Sequence, residues 1–221
     1  MRIYALADIH GRKENIEILS LVASEFKPDI IVIAGDITNY FHWKSAIAQL
    51  DLLGAKNTSP ILCIRGNSDF RIVEHSLAKA KNLNLLEASP QYFQGVPFIG
   101  ANGTIPLPFA SRVCLREDRL FKSLLPLDKE TILVVHPPPR GICDKVGNKF
   151  SAGSKNLLDF VETTQPRMVL CGHIHEQAGM EFVNNCIPGT LVVNCAMDKE
   201  NHGAIIDLKK DNIPQVNFLQ P

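Results

Sequence analysis

Five short apolar runs, each ending in residues that can hold a metal, constrain this chain of 221 residues more than any other feature. The fullest is Met168-Val169-Leu170-Cys171, which runs into Gly172-His173-Ile174-His175-Glu176. A buried strand with this ending delivers two imidazoles to its C-terminal end, where α/β sheets place their chemistry. Imidazole is also the commonest metal ligand a protein supplies. Residues 3–7 lead in the same way to Asp8-Ile9-His10, and residues 29–34 to Gly35-Asp36. Residues 60–64 lead to Arg65-Gly66-Asn67-Ser68-Asp69, and residues 131–135 to His136 followed by three prolines. Five strand ends carrying ligand types by accident would be five coincidences, so they read as one constellation.

The segments between the runs fit a layered fold. Ile16, Leu19, Val22, Ala23 and Phe26 recur at helical spacing before Pro28, and Trp43, Ala46, Ile47 and Leu50 do so over residues 43–53. A further helix is expected over residues 71–81, followed by an apolar stretch at 83–86. Three strand–loop–helix units in succession predict a parallel core. Residues 92–93 and 97–100 read as short strands, 102–111 as a loop and 116–125 as a helix. Ser154 is placed to cap a helix running to Thr163. Beyond Gln177 the period changes to short strands at 180–183, 190–194, 204–208 and 215–218, which read as an antiparallel tail. One domain spanning residues 1–221 is expected.

Composition excludes several function classes. Lys plus Arg equals Asp plus Glu at 23 each, so no global field attracts long nucleic acid or an anionic membrane. No apolar run is long enough to span a bilayer. The first eight residues read as a strand rather than a signal peptide. The six cysteines are scattered without a Cys-x-x-Cys pair, which predicts free thiols, a reducing compartment and a cytoplasmic protein.

Taken together, Asp8-x-His10, Gly35-Asp36, Gly66-Asn67-Ser68-Asp69, His136 and Gly172-His173-x-His175 resemble, in order and spacing, the calcineurin-like metallophosphoesterases. The runs His136-Pro137-Pro138-Pro139, Phe150-Ser151-Ala152-Gly153-Ser154 and Gly172-His173-Ile174-His175-Glu176 resemble more narrowly the small prokaryotic Icc-related predicted phosphoesterases. The resemblance implies an α/β fold, a calcineurin-like four-layer sandwich of two mixed β-sheets flanked by helices. It implies two divalent metal ions, with Asp8, His10 and His175 at one, Asn67, His136 and His173 at the other, and Asp36 bridging. Asn67, Asp69 and His173 then fall at catalytic positions. Two cations roughly 3.5–4 Å apart do need an anionic bridge, and one carboxylate supplies it. Mixed nitrogen and oxygen donors suit Mn²⁺, Fe²⁺ or Zn²⁺ alike. Such metals bring bound water to a pKa near ~7, giving a hydroxide nucleophile at neutral pH.

The implied activity is hydrolysis of a small phosphoester. Most of the family has a histidine after this Asn, thought to protonate the leaving group, and here that place is Ser68. Asp69, which orients that histidine in relatives, has lost its partner. Related small phosphodiesterases with Cys at this place point to phosphodiester substrates. A phosphomonoesterase or protein phosphatase is the alternative within the enzymes. A metal-poor scaffold, like the retromer subunit that resembles these enzymes but has lost ligand residues, is the alternative outside them, and the intact ligand positions here argue against it. Arg12, Arg65 and Arg140 adjoin ligand loops and are candidate phosphate clamps, with ordinary surface ion pairs the competing reading. His42 is close enough to Asp36 in sequence to line the cleft, whereas His75 and His202 read as solvated.

Overall fold

A computed structural model of the chain describes residues 1–40, 42–103, 121, 124, 127–147, 149–185, 187, 189–209 and 213–221. Strands β1 (Arg2–Leu6), β2 (Ile30–Ile33), β3 (Ile61–Cys63) and β4 (Leu83–Leu85) lie side by side and parallel. Helices α1 (Lys13–Phe26), α2 (Trp43–Lys56) and α3 (Arg71–Leu77) make the three crossovers that parallel pairing requires. The chain then builds a second sheet from β5 (Gln91–Phe93), β6 (Val96–Ala101), β7 (Ile132–Val135), β10 (Met168–Cys171), β11 (Gly179–Phe182) and β12 (Leu191–Asn194). Between β7 and β10 come the small hairpin β8 (Lys145–Val146) with β9 (Phe150–Ser151) and helix α4 (Lys155–Thr164). Strands β13 (Ala204–Asp207) and β14 (Gln215–Phe218) return to the first sheet, giving the orders β14-β13-β1-β2-β3-β4 and β11-β12-β10-β7-β6-β5.

Both faces of the central strands are apolar, so each sheet is covered twice. Ile3, Ala5, Ile30, Val32 and Leu62 face Phe98, Ile132, Val134, Met168, Leu170 and Leu191 in a core between the sheets. The alternate residues Tyr4, Leu6, Ile31, Ile33 and Ile61 pack outward on Ile16 and Leu19 of α1, Ile47 and Leu50 of α2 and Val73 and Leu77 of α3. Leu133, Val135, Val169 and Val192 pack on Leu157, Phe160 and Val161 of α4, with Phe121 and Leu124. The result is the four-layer sandwich, with two mixed sheets at its centre and helices outside. Ser154 caps α4 as its position predicts, accepting a hydrogen bond from the Leu157 amide at 3.0 Å.

Two expectations need correction. The segment after Gln177 is not a purely antiparallel tail, because β12 runs parallel to β10, while its pairing with β11 and the pairings of β13 and β14 are antiparallel. All four residues of β12 are buried, which suits an interior place, while β11 keeps Met180 and Glu181 exposed and takes the edge. The third helix is also shorter than its pattern, ending at Leu77. Asp51 accepts from the Asn82 amide at 2.8 Å and turns the chain early toward β4. Most of the helix expected over residues 116–125 and most of the loop at 102–111 fall outside the described residues.

The inter-sheet core carries the fold's stability. Phe98 is fully buried there, edge-on to Phe93 at 5.9 Å. Phe98→Ala should therefore destabilise by about 3–5 kcal/mol, and Tyr92→Ala, on a 64 % exposed side chain, by no more than about 0.5 kcal/mol. Urea unfolding midpoints of the two variants check this contrast.

Candidate metal centre

The parallel strands of both sheets end at one seam. Asp8 and His10 follow β1, Asp36 follows β2, Asn67 follows β3, His136 follows β7, and His173 and His175 follow β10. Backbone and side-chain hydrogen bonds stitch the two edges together. The Ala7 amide donates to the Cys195 carbonyl at 3.1 Å, and the Met197 amide to the Ala7 carbonyl at 3.1 Å. His136 Nδ1 donates across the seam to the Ala34 carbonyl at 2.9 Å, and the His173 amide to Asp8 Oδ2 at 2.9 Å. Glycines let the loops meet. A Cβ on Gly172 would lie 2.6 Å from Asp8 Oδ2, and one on Gly66 would land on the Asp36 carboxylate.

Four of the expected ligands have left-handed backbone. Their φ angles are 62° at Asp8, 52° at His10, 49° at Asp36 and 73° at His173. Such conformations cost of order ~1–3 kcal/mol each in non-glycine residues and persist where the surroundings over-determine them. Here neighbouring backbone groups do so. The Asp8 amide donates to the Gly35 carbonyl at 3.1 Å, and the His10 amide to the Asp36 carbonyl at 2.9 Å.

The side chains converge on two overlapping clusters, Asp8 with His10 and His175, and Asp8 with Asp36 and His136. Asp8 Oδ1 lies 3.4 Å from His175 Nε2, 3.8 Å from His10 Nε2 and 3.9 Å from His136 Nε2. The two oxygens of Asp36 face different imidazoles: Oδ1 is 3.3 Å from His136 Nε2, and Oδ2 is 4.0 Å from His10 Nε2. The His10 and His175 rings stack at 5.6 Å, and His136 meets His173 edge-on at 5.1 Å. Asp8 Oδ1, Asn67 Oδ1 and His136 Nε2 are buried and find no hydrogen-bond partner among the described residues. Three buried atoms of ligand type without a hydrogen bond at one seam, His136 Nε2 having only its 3.3 Å ion pair with Asp36, fit divalent cations, since buried polar atoms left without hydrogen bonds are otherwise costly. Donation from His136 Nδ1 to Ala34 also leaves Nε2 as the coordinating nitrogen, the second-sphere arrangement metal-binding histidines use.

Electrostatics follow from this crowding. Burial alone would raise Asp36, but the charge of His136 and the hydrogen bonds from Ser68 hold it well below the ordinary carboxylate range. Burial alone would lower His136, but the Asp36 and Asp8 carboxylates lift it to about 10. His173 falls to about 4, through burial first and then the adjacent charge of His136. His175 is raised, chiefly by its pairing with Asp8.

Outside the cluster, the expected residues divide. Arg12 stands exposed at the N-terminal boundary of α1, His42 exposed at that of α2, and Arg140 exposed with its amide bound to the Ser154 carbonyl. Arg65, expected as a phosphate clamp, is only 2 % exposed, and its guanidinium is committed to Glu74 at 3.0 Å and to the Asp69 carbonyl at 3.1 Å. Asp69, expected at a catalytic position with its partner lost, is fully buried and has partners of another kind. It accepts from the Gly66, Ile37 and Thr38 amides and from the Thr38 hydroxyl, tying the Asp36 loop to the Asn67 loop. Both corrections have one cause: the polypeptide between β3 and α3 folds inward and uses these charges to hold itself. His75 is exposed, and His202 is half-buried with its carbonyl accepting from the Tyr4 hydroxyl at 2.8 Å.

Two contributors escaped the sequence reading. Asn194, buried at the end of β12, donates to the Ile174 carbonyl at 2.9 Å and to the Cys143 carbonyl at 3.2 Å, bracing the loop between His173 and His175. Its signal was available, as a sixth apolar run ending in a polar residue. Ser68 donates its amide to Asp36 Oδ1 at 2.8 Å and its hydroxyl to Asp36 Oδ2 at 2.7 Å.

Comparison with known proteins gives a family and a fold for this chain. The family model for calcineurin-like phosphoesterases matches residues 1–177. The uncharacterized protein MJ1162 of Methanocaldococcus jannaschii is 28 % identical over 204 residues, covering 88 % of this chain and 87 % of that one. The UPF0046 protein K07C11.7 of Caenorhabditis elegans is 23 % identical over 201 residues, covering 81 % of this chain and 65 % of that one. Among solved structures, TT1561 of Thermus thermophilus superposes with a TM-score of 0.74 at 15 % identity, covering 98 % of each chain. A structure described as a novel archaeal phosphodiesterase superposes at 0.56 with 12 % identity, covering 99 % of this chain and 100 % of that one. These likenesses show a shared fold.

The His136 shift makes the centre sensitive to pH in a direction that can be worked out. A folded pKa of about 10, above the ordinary value of ~6.5, gives stability that is complete below pH ~6.5 and is lost as pH rises toward 10. A cation needs the Nε2 lone pair, so it displaces that proton and binds more tightly as pH rises. After chelation, the melting temperature should fall between about pH 6.5 and 9, while Mn²⁺ affinity rises and the binding heat depends on buffer ionisation enthalpy. A flat melting profile with no proton release would contradict the pairing of His136 with Asp36.

Proposed function

The chain belongs to the calcineurin-like phosphoesterase family, and on that premise we propose that it is a dinuclear, metal-dependent phosphodiesterase acting on a small substrate in the cytoplasm. The observation that carries the metal-dependent part is the set of orphaned atoms Asp8 Oδ1, Asn67 Oδ1 and His136 Nε2 around a carboxylate whose two oxygens face different histidines. Asp8, His10 and His175 would hold one cation, Asn67, His136 and His173 the other, with Asp36 shared. Mn²⁺ suits the mixed donor set, as Fe²⁺ and Zn²⁺ do. When bound, the pair offsets phosphate charge and supplies a nucleophile at neutral pH by acidifying water.

The chain's own residues shape the rest. Ser68 gives its proton to Asp36, so that proton is not offered to a departing alkoxide. Arg65 is withheld by Glu74, so it adds no positive charge for the dianion of a monoester. A diester carries one negative charge and asks less of the site. These two features support the diester reading, and the archaeal phosphodiesterase of the same fold is in keeping with it. Arg12 and Arg140 are the remaining candidate clamps, and His42 is the candidate acid in place of the missing histidine. The four described cysteines Cys63, Cys143, Cys171 and Cys195 are buried and unpaired, which supports a reducing compartment.

Turnover of bis-aryl and alkyl-aryl phosphodiesters, beside p-nitrophenyl phosphate, tests the reading on Mn²⁺-reconstituted protein. General acid help is typically worth about 10²–10⁴-fold and grows with leaving-group basicity. Diesters should outpace the monoester, and rates should fall steeply as leaving-group pKa rises. Preference for the monoester would overturn the diester reading, and absence of both metal uptake and turnover would favour a scaffold. A shallow slope that His42→Ala steepens would assign the acid to His42.

A further inference from the structure

We infer that Ser68 is a positioning residue for the shared carboxylate, fixing the plane of Asp36 so that one side chain serves two cations. This inference rests on the dinuclear reading above. A carboxylate that bridges must present one oxygen to each side, and free rotation about its last torsion would mix the two. Ser68 removes that freedom. Its amide holds Oδ1 at 2.8 Å and its hydroxyl holds Oδ2 at 2.7 Å, so both oxygens are pinned by one residue. Each oxygen keeps a second lone pair, and these face His136 on one side and His10 on the other.

The clamp is itself rigid. Ser68 is 6 % exposed, and the turn that carries it is bound at both ends. Asp69 accepts from the Gly66, Ile37 and Thr38 amides, and Arg65 donates to the Asp69 carbonyl. Asn67 Nδ2 lies 3.5 Å from Ser68 Oγ, on the accepting side of that hydroxyl, which leaves Asn67 Oδ1 turned away as one of the orphaned atoms. The hydroxyl thereby pins one expected ligand and lies at the limit of hydrogen-bond range from a second. Ser68→His would remove the hydroxyl half of the clamp, and Asp69, with four donors already in place, would have little capacity to orient the new ring.

The side served by Oδ2 depends on the hydroxyl, whereas the side served by Oδ1 keeps the backbone amide whatever residue stands at 68. Ser68→Ala should therefore weaken one ion and spare the other. Outer-sphere partners of this kind are typically worth about 10–100-fold in metal affinity or activity. The experiment is Mn²⁺ titration of the full chain after chelation, followed by calorimetry and low-temperature electron paramagnetic resonance, with thermal melting to confirm folding. Wild type should bind two ions and give an exchange-coupled signal. Ser68→Ala should keep one near wild-type affinity, lose the second by about 10–100-fold, and show the six-line spectrum of isolated Mn²⁺. Ser68→Thr, which retains the hydroxyl, should restore the coupled signal, whereas a mere packing role would leave Thr worse than Ala. Two ions and an unchanged coupled signal in Ser68→Ala would overturn the inference alone. A wild type that takes up a single ion would overturn the dinuclear reading, and the clamp with it.

Discussion

The structure depends on a concentration of buried charge at the seam between two sheets. Asp8 and Asp36 are almost fully buried within one cluster, and His136 beside them is wholly buried. Two carboxylates so placed repel each other and lose their hydration, a cost that a protein bears only when opposite charge and hydrogen bonds offset it. Imidazolium at His136 offsets part of the charge, which is why its pKa rises to about 10. Cations offset it more completely, and the orphaned atoms point to that use.

Much else follows from bringing these groups so close. Strand ends from different sheets must approach within hydrogen-bond range, so Gly66 and Gly172 stand where a Cβ would strike Asp36 or Asp8. The ligand backbones turn left-handed at Asp8, His10, Asp36 and His173, strain that the inter-sheet core and the cross-seam hydrogen bonds sustain. Asp69, Arg65 and Asn194 hold the loops from behind. Charged residues that look catalytic in sequence thus have structural work close to the centre.

The layered fold and the gathering of polar strand ends at one seam were legible because both rest on local patterns. Short runs apolar on both faces mark central strands, and polar residues at their C-terminal ends mark a site. What sequence could not carry was the direction of side chains after those ends. Arg65 and Asp69 adjoin Asn67, yet turn inward to Glu74 and Thr38, a choice made by tertiary contacts. The place of β12 also depended on its competition with β11 for an interior position. Ser68 read as a loss because the resembling family carries a histidine at that place, while its actual partner, Asp36, lies 32 residues away.

The central claim is that Asp36 is shared between two divalent ions at this seam. Metal content of the Asp36→Asn variant, measured by elemental analysis after Mn²⁺ reconstitution beside wild type, tests it most directly. Asparagine keeps the size of the side chain but removes the charge that both ions would share. Two ions per wild-type chain and loss of both from a variant that still melts cooperatively are expected; two ions retained at full occupancy in Asp36→Asn would contradict the shared carboxylate.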